Sequence, residues 1–259
     1  MRYIKLIACR VMAREVSLIA AHCNSIVDVT WLPQGLHSTI GELARCVQRE
    51  IDSLDAGNDP HTTAPPPGRD FDAIVLGYGL CSNGTAGLSS KRYPLVIPRA
   101  HDCITLFLGS KERYRELFDQ NPGTYWSSAG WGELFDELAD YQMRDSFIAL
   151  YEDKYGREVA EEMADAMADM GDVMMAHYNQ MAMINWPEFD DDLFMAGARQ
   201  TARQTAADNS WQYREFAGDS DLLRSMLEGD WDNERFIVIP PGQKSAVTYD
   251  DNIFKCVEL

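Results

Sequence analysis

Four short apolar or β-branched segments in the first hundred residues constrain the fold more than any other feature of this sequence. They cover residues 3–8, 26–31, 71–76 and 93–97. Helix-like stretches at 14–23 and 40–54 separate the first three, and the second stretch repeats apolar residues at helical spacing. Continuous apolar strands are typical of a parallel sheet covered on both faces, and strand–helix alternation is typical of an α/β layer. The sequence therefore predicts an α/β protein with a Rossmann-like, mainly parallel sheet.

The sequence after residue 110 indicates an organisation that differs from the strand–helix alternation of the first hundred residues. A helix is predicted at 110–118, and a strand at 124–126 is predicted to be the last strand of the central sheet. Residues 131–208 are predicted to be almost entirely helical, with a break at Pro187. Strand signals return at 211–216 and 235–239, with a helix at 220–227 between them. We therefore predict an α/β domain over 1–128 and, over 129–259, a helix-rich region that returns to a second small α/β lobe. The apolar strand at 235–239 should join a sheet, with the turn at 240–243 at its carboxyl edge.

The net charge and the lack of long apolar segments argue against several classes of protein. The chain has 41 acidic and 23 basic residues, a formal net charge of −18. Such a field repels nucleic acid and anionic lipid, so neither is an expected partner. No stretch approaches the roughly 18 apolar residues of a membrane helix, and the first residues become charged too soon for a secretory signal. We expect a cytoplasmic protein.

Cysteine and histidine residues follow the predicted strands. Cys9 ends the first strand and His37 follows the second, whereas Cys81 follows the third. His101 and Cys103 follow the fourth. Parallel strands bring their carboxyl ends to one edge, where ligands bind in open α/β sheets. The six cysteines contain no CxxC pair, so in a reducing compartment we interpret them as thiols or ligands rather than as disulfides.

The loop after the third strand has the composition of a ligand-binding turn. Its glycines permit positive φ angles and a close backbone approach, so we assign cofactor contacts to this loop and a catalytic role to Tyr78. The proposed cofactor contacts are Gly77, Gly79, Asn83 and Gly84. The spacing matches neither a dinucleotide fingerprint nor a nucleophile elbow, so we do not predict a nicotinamide cofactor.

The loop after the fourth strand, PRAHDC at 98–103, suggests metal chemistry. A His-x-Cys pair can place a nitrogen and a sulfur on one zinc ion, and a catalytic zinc keeps an open position. We predict Cys81, His101 and Cys103 as zinc ligands, with Cys9 or His37 as a fourth ligand or catalytic group. Two further roles are predicted: Asp102 would orient a ligand histidine, and Arg99 would bind an anion. Cys46 lies on the apolar side of a helix and is interpreted as core packing.

The sequence resembles a bacterial and archaeal family designated domain of unknown function 1638. The matching motifs are IACRV at 7–11, WLPQGLH at 31–37, VLGYGLCSNG at 75–84, PRAHDCITLFLGS at 98–110, GTYW at 123–126 and GDWDNERFIVIPPGQ at 229–243. The family is associated with corrinoid-dependent methyltransferase systems. The resemblance therefore implies methyl transfer in one-carbon metabolism, with a small-molecule substrate and a corrinoid protein or methyltransferase as partner.

Alternatives to a zinc enzyme stay open at this point. The same cysteines could hold an iron–sulfur cluster with one iron left for substrate. A metal-free cysteine hydrolase or transferase would use Cys81 as nucleophile and His101 as base. A non-catalytic protein would use the acidic helical residues 152–192 to bind a basic partner surface.

Overall fold

The computed structural model describes residues 1–39, 41–60, 69–134, 138–190 and 192–259. Within these residues the strands are β1 Tyr3–Cys9, β2 Ile26–Leu32, β3 Ala73–Gly77, β4 Leu95–Pro98, β5 Thr124–Ser127, β6 Gln180–Asn185, β7 Gln212–Ala217, β8 Phe236–Ile239, β9 Gln243–Val247 and β10 Phe254–Glu258. The helices are α1 Ala13–His22, α2 Glu42–Asp55, α3 Cys103–Leu108, α4 Lys111–Gln120, α5 Ala129–Leu134, α6 Leu138–Tyr155, α7 Arg157–Met175, α8 Leu193–Asp208 and α9 Asp221–Glu228. Short 3₁₀ turns occupy Arg10–Met12, Leu36–Ser38 and Pro187–Phe189.

The chain forms two compact units. One consists of residues 1–115 and 217–259, and the other of residues 116–216. The sequence had placed the boundary at 128/129 and assigned the whole C-terminal part to the second region. The structure differs because the apolar strand β8 pairs with β4 of the first sheet, which returns the last segment of the chain to the first unit.

The first unit is built on a five-stranded sheet in the order β2-β1-β3-β4-β8. The first four strands are parallel, and β8 is antiparallel to β4. All residues of β1, β3 and β4 are buried, as expected of strands that are covered on both faces. The prediction of an α/β protein with a mainly parallel sheet is confirmed.

Helix α2 shows how the apolar pattern positions an element against this sheet. Leu43, Val47, Ile51 and Leu54 are buried and recur at intervals of three and four residues. The predicted first residue of this helix, Ile40, lies outside the described residues. Gly41 caps the helix with a left-handed backbone (φ 78°), so the helix begins at Glu42.

A buried lysine lies inside the sheet. The Lys5 side chain is fully buried, and its Nζ lies 2.5 Å from Oδ1 of Asp28 on the neighbouring strand β2. Oδ2 of Asp59, which follows α2, lies 3.2 Å from the same nitrogen. These two carboxylates compensate the buried charge, so the ammonium group of Lys5 is committed to the core of the sheet.

The second unit contains a three-stranded sheet in the order β5-β6-β7, with β5 and β6 parallel. Two expectations were wrong here. The strand at 124–126 does not belong to the central sheet, and β6 interrupts the region that was predicted to be helical. Residues 180–184 are buried, but Met and Ala are good helix formers, so the local sequence does not indicate a strand.

The C-terminal segment was predicted only in part. Strand β8 joins a sheet as expected, but it runs antiparallel, so the turn after it lies at the amino edge of the parallel strands. The Gly242 amide there donates a 2.9 Å hydrogen bond to the carbonyl of Ser90, which precedes β4. Strands β9 and β10 form a separate antiparallel pair that the mixed polar sequence did not indicate.

Among the described residues, no helix combines the length and the apolar character that crossing a membrane requires.

Candidate functional site

The candidate site lies where β1 and β3 end. Ala8 of β1 pairs with Gly77 of β3, so the next residues, Cys9 and Tyr78, lie level with each other at the carboxyl edge. Because side chains alternate along a strand, Cys9 and Tyr78 point to the same face of the sheet. The chain passes from β1 outward to β2 and then back to β3 on the other side of β1. Cys9 and Tyr78 therefore flank the topological switch point, the usual position of a ligand crevice in an open α/β sheet.

The loops after β3 and β4 are joined by backbone hydrogen bonds. The Leu80 amide donates to the Ala100 carbonyl at 2.8 Å, and the Cys81 amide donates to the His101 carbonyl at the same distance. A β-carbon at Gly79 would lie 2.7 Å from both the Ala100 oxygen and the Asp102 nitrogen. Only glycine permits this approach, which holds the two predicted site loops together.

Helix α2 adds a thiol that the sequence reasoning assigned to core packing. The loop after β3 packs on the first turn of α2, where a β-carbon at Gly84 would lie 2.4 Å from Cδ2 of Leu43. Cys46, one turn further along, is buried and donates from Sγ to Oε1 of Glu42 at 3.4 Å. Cys46 is one of four cysteines that raise the pKa of Tyr78. The sequence could have indicated that Cys46 belongs to the site, because Cys46 lies near the start of a helix that begins at the carboxyl edge of the sheet.

Tyr78 is buried within electrostatic reach of these thiols. Its side chain is 4% exposed, and its hydroxyl has no hydrogen-bond partner among the described residues. Burial raises the pKa of the Tyr78 phenol, and four nearby cysteines raise it further: Cys9, Cys81, Cys46 and Cys103. The phenol therefore stays protonated and has a proton to donate.

The Cys81 thiol is held in an environment that disfavours its ionisation. Burial, the Asp102 carboxylate and Cys9 raise the pKa of Cys81 to about 12, although hydrogen bonds with the backbone of Gly79 and Cys103 act in the opposite direction. Burial also raises the pKa of Cys9. The structure thus places the Cys81 thiol beside the backbone of Cys103 and within electrostatic reach of Cys9.

The backbone at Cys81 adopts a rare conformation. Cys81, Ser82 and Asn83 have φ angles of 45°, 57° and 65°, so three consecutive non-glycine residues are left-handed. This conformation costs roughly 1–2 kcal/mol per residue, least for Asn. Gly77, Gly79 and Gly84 do not have the positive φ angles that the sequence led us to expect. Glycine is required at these positions for a different reason, because a β-carbon would come too close to neighbouring atoms. Strain of this kind is typical of functional loops.

His37 is a partly buried imidazole within electrostatic reach of Asp102. Burial lowers the pKa of His37, and the charge of Asp102 partly offsets this effect. His37 is therefore neutral near pH 7, the form that binds a metal or accepts a proton. The His101 side chain is exposed.

Asp102 has a structural role that the sequence reasoning missed. Its Oδ1 accepts a 3.2 Å hydrogen bond from the Thr105 amide and so caps α3, which begins at Cys103. Burial raises the pKa of Asp102, whereas hydrogen bonds from Thr105 and the Tyr114 hydroxyl lower it. Cys103 therefore lies in the first turn of a short helix and not in an open loop.

Arg99 is tied to the C-terminal segment. Its Nε donates to the carbonyls of Asn233 and Phe236 at 3.0 and 3.2 Å, and Nη1 donates to those of Asn252 and Phe254 at 2.6 and 2.7 Å. Nη2 reaches Oδ1 of Asn233 at 3.3 Å. A guanidinium engaged in this way connects β4 to the last strands. Anion binding by Arg99 stays a prediction and would require these bonds to be given up.

We call Cys9, Cys46, Cys81 and Cys103 the thiol site. It supplies donors of the kind that a soft metal prefers, but it is not a preassembled metal centre. Among the described residues, no group of three or more His, Cys, Asp and Glu side chains is in position to hold a metal ion. Side chains would therefore have to rotate for Cys9, Cys81 and Cys103 to share one ion. Two other buried polar atoms from the β2 segment, the Thr30 hydroxyl and the Gln34 amide oxygen, also have no hydrogen-bond partner in the described part of the chain. Buried polar groups are normally satisfied by protein, water or ligand.

Two surface cavities of about 410 and 430 Å³ are lined by residues of the second unit. The first is lined by α8 residues, including Arg199 and Arg203, and the second by Tyr178, Trp211 and neighbouring polar residues. Neither includes a residue that the sequence analysis proposed for the site.

A family model described as "Protein of unknown function (DUF1638)" matches residues 31–227. The match covers most of the chain, so the protein belongs to this family. Comparison with curated proteins and with solved structures gave no significant match.

Proposed function

We propose that the chain is a metal-dependent enzyme whose thiol site, at the carboxyl ends of β1 and β3, binds zinc. One observation carries the proposal: Cys9, Cys81, Cys103 and Cys46 all act electrostatically on Tyr78, whose buried hydroxyl has no hydrogen-bond partner among the described residues. Thiolates and a neutral imidazole are preferred zinc ligands, and His37 is neutral near pH 7. When bound, zinc would supply a positive charge and an open position for substrate.

The sheet order supports the location of this site. Strands β2-β1-β3-β4 follow the order of a doubly wound, Rossmann-like fold, and we propose this classification for the first unit. In such folds the crevice at the switch point is the usual binding site. Cys9 and the loop that carries Cys81 are the two segments that flank it.

The chain's own residues would prepare the site. Asp102 fixes the start of α3 and so the position of Cys103, and Gly79 holds the two loops at contact distance. His37 would hold a proton or serve as a ligand, because its imidazole is neutral and near Asp102. The proposed reaction, methyl transfer with a small-molecule substrate and a corrinoid protein as partner, rests on the family resemblance alone.

An iron–sulfur protein is the second candidate, and one observation favours it. Cys46 is the fourth cysteine that acts on the pKa of Tyr78, and four thiols are the number that commonly holds a cluster. A metal-free cysteine nucleophile is a weaker candidate, because a thiol with a pKa of about 12 supplies almost no thiolate at neutral pH.

Metal analysis of protein purified without added metal tests the proposal. We expect about one zinc per chain, and we expect Cys81→Ser and Cys9→Ser to lose it. Cys256→Ser is the matched control, since Cys256 lies on β10 and bonds to Gln243. A brown anaerobic preparation that contains iron and sulfide would instead establish the cluster. Zinc content that is low and unaffected by Cys81→Ser would overturn the zinc site.

A second experiment tests the reaction. Zinc-loaded protein is mixed with methylcobalamin and 2-mercaptoethanol, and loss of the methyl–cobalt absorbance is followed together with formation of the methyl thioether. We expect turnover that Cys81→Ser abolishes and Cys256→Ser retains. If the protein binds zinc but shows no turnover, the metal site would stand and the methyl-transfer assignment for this substrate pair would be wrong.

A further inference from the structure

The cavity of about 430 Å³ lies entirely within the second unit. Its volume falls within the roughly 300–1,000 Å³ that small-molecule sites occupy. Among the described residues, no charged side chain lines it. The lining combines aromatic, amide and hydroxyl groups from the ends of α7 and α8 and the loops that follow them: Met175, Ala176, Tyr178, Asn179, Asn209, Ser210 and Trp211.

Two of the lining rings belong to a cluster of three aromatic rings. Tyr178 makes edge contacts with Trp211 and Tyr125, with ring centroids 5.7 and 5.2 Å apart and interplanar angles of 68° and 89°. Tyr125 lies 5.6 Å from Trp211 at a tilt of 30° and is not part of the lining. Rings in direct contact leave no gap between them for a ligand. A ligand of this cavity therefore lies on the outer surface of the cluster, where Tyr178 and Trp211 are half-buried.

The turn at the end of α8 fixes Trp211 beside the cavity. The Ser210 amide donates to the Ala207 carbonyl at 3.1 Å and the Trp211 amide donates to the Ala206 carbonyl at 2.7 Å, the two hydrogen bonds of a Schellman motif. Ser210 has a φ angle of 60° at the position where glycine is usual. The chain therefore places a hydroxyl on the cavity at a position where local structure alone favours glycine.

The two amide side chains of the lining are oriented by their neighbours. Oδ1 of Asn179 accepts a 2.9 Å hydrogen bond from Nδ2 of Asn121, so Nδ2 of Asn179 is the group that can donate to a ligand. Nδ2 of Asn209 donates to the Thr205 carbonyl at 2.9 Å, so its Oδ1 can accept from a ligand. The Ser210 hydroxyl can do both. The cavity thus offers an uncharged set of donors and acceptors beside an aromatic surface.

We propose that this cavity binds a neutral sugar, whose ring stacks on Trp211 and whose hydroxyls bond with Asn179, Asn209 and Ser210. The C–H groups of a sugar ring carry a slight positive charge and pack against the negative face of an aromatic ring. Each sugar hydroxyl both donates and accepts, which matches the mixed polar groups of the lining. This proposal is independent of the zinc proposal, because no residue of the thiol site lines the cavity.

The lining disfavours the other classes of ligand that aromatic sites bind. Phosphates and carboxylates are usually bound by guanidinium or ammonium groups, and none lines the described part of this cavity. A quaternary ammonium ion needs ring faces that converge within about 6 Å of the charge, whereas Tyr178 and Trp211 meet edge to face. A nucleobase also stacks on aromatic rings, but the nucleotides that carry bases are anionic. Adenosine and choline are therefore the comparison ligands.

The first experiment locates the ligand by NMR of the metal-free, full-length protein. The indole N–H resonances are followed while the methyl glycosides of glucose, galactose, mannose and N-acetylglucosamine are added in turn. The Trp211 resonance is assigned by its loss in Trp211→Leu. We expect at least one glycoside to shift this resonance with millimolar or tighter affinity, and adenosine and choline to leave it unchanged. The Trp231 indole, which donates to the Met226 carbonyl in the first unit, is the internal control.

Two variants test the contacts with the glycoside that binds, and ligand-observed NMR measures the affinities. Trp211→Leu should bind it about tenfold or more weakly, because the stacking surface is lost. The matched control is Trp126→Leu, which should keep the wild-type affinity, since Trp126 packs on Phe216 and does not line the cavity. Should Trp211→Leu not fold, Ser210→Gly carries the test. It should bind about threefold or more weakly while its melting temperature equals or exceeds that of the wild type, because glycine adopts a positive φ without strain.

The results that would overturn the proposal are distinct. A Trp211 resonance that no glycoside shifts would show that the cavity is not a sugar site. A shift caused by adenosine or choline instead would overturn the ligand class. Equal glycoside affinity in the wild type, Trp211→Leu and Ser210→Gly would place the bound sugar elsewhere on the protein. A lower melting temperature for Ser210→Gly would show that the Ser210 hydroxyl serves the fold rather than the ligand.

Discussion

The Cys81 amide donates a 2.8 Å hydrogen bond to the His101 carbonyl, which extends the pairing of β3 and β4 beyond the ends of both strands. This bond places the thiol of Cys81 beside the backbone of Cys103, at the start of α3. Two cysteines that are 22 positions apart in the sequence thereby become neighbours. The loops after β3 and β4 are therefore held together at the carboxyl edge of the sheet.

Gly79 should be essential for this arrangement. In Gly79→Ala the new β-carbon would lie 2.7 Å from the Ala100 oxygen and the Asp102 nitrogen, both backbone atoms that cannot rotate away. We expect a loss of about 1–3 kcal/mol in the free energy of unfolding, measured with urea. The control is Gly197→Ala in α8, where no atom lies within 4 Å, and which should gain up to about 1 kcal/mol. Equal stability of the two variants would contradict the close approach of the loops.

Arg99→Lys should reveal whether residue 99 acts in structure or in anion binding. A lysine keeps the charge but cannot donate simultaneously to the four carbonyls that the guanidinium reaches. We expect a loss of about 2 kcal/mol or more in stability, and increased hydrogen exchange in β10, measured by mass spectrometry. Unchanged stability together with weaker binding of sulfate would return Arg99 to the anion-binding role predicted from sequence.

The parts of the fold that the sequence predicted are those in which local pattern and tertiary environment agree. Strands β1, β3 and β4 are predominantly apolar runs because both faces are covered, and α2 shows its buried stripe directly. Strand β6 was missed because its methionines and alanine favour a helix locally, and its pairing with β5 and β7 makes it a strand.

Cys9, Cys81 and Cys103 were assigned to one edge of the sheet by a general rule about parallel sheets, and in the structure each of them raises the pKa of Tyr78. The role of Arg99 depends on residues more than 130 positions away, which no local pattern indicates. The left-handed turn at 81–83 was also unpredictable, since Cys and Ser rarely adopt positive φ angles.

Asp70 should make stability depend on pH. Burial opposes its ionisation, but hydrogen bonds from the Tyr93 hydroxyl, Arg92 and the Phe71 amide hold the pKa of Asp70 below its usual value of 3.8. A carboxyl group with a lowered pKa stabilises the fold above its unfolded pKa, and this contribution is lost as the pH falls through the folded pKa. Asp70→Asn should therefore be less stable than the wild type at about pH 7 and approach it at about pH 3 in urea titrations. A difference that is independent of pH would contradict an ionic role for Asp70.

Alkylation of Cys81 in metal-free protein should distinguish a ligand thiol from an activated nucleophile. A pKa of about 12 leaves roughly a thousandfold less thiolate at neutral pH than an ordinary cysteine has. We expect iodoacetamide, in the presence of a chelator at about pH 7.5, to modify Cys81 at least about a hundredfold more slowly in the folded protein than in the urea-unfolded chain. Peptide mass spectrometry measures both rates at the same residue, so the unfolded chain is its own control. The folded rate should rise with pH about tenfold per unit, because thiolate is the reacting species. A folded rate that exceeds the unfolded rate would mean that the fold activates Cys81, and the metal-free cysteine enzyme would then replace the zinc site as the function of this edge.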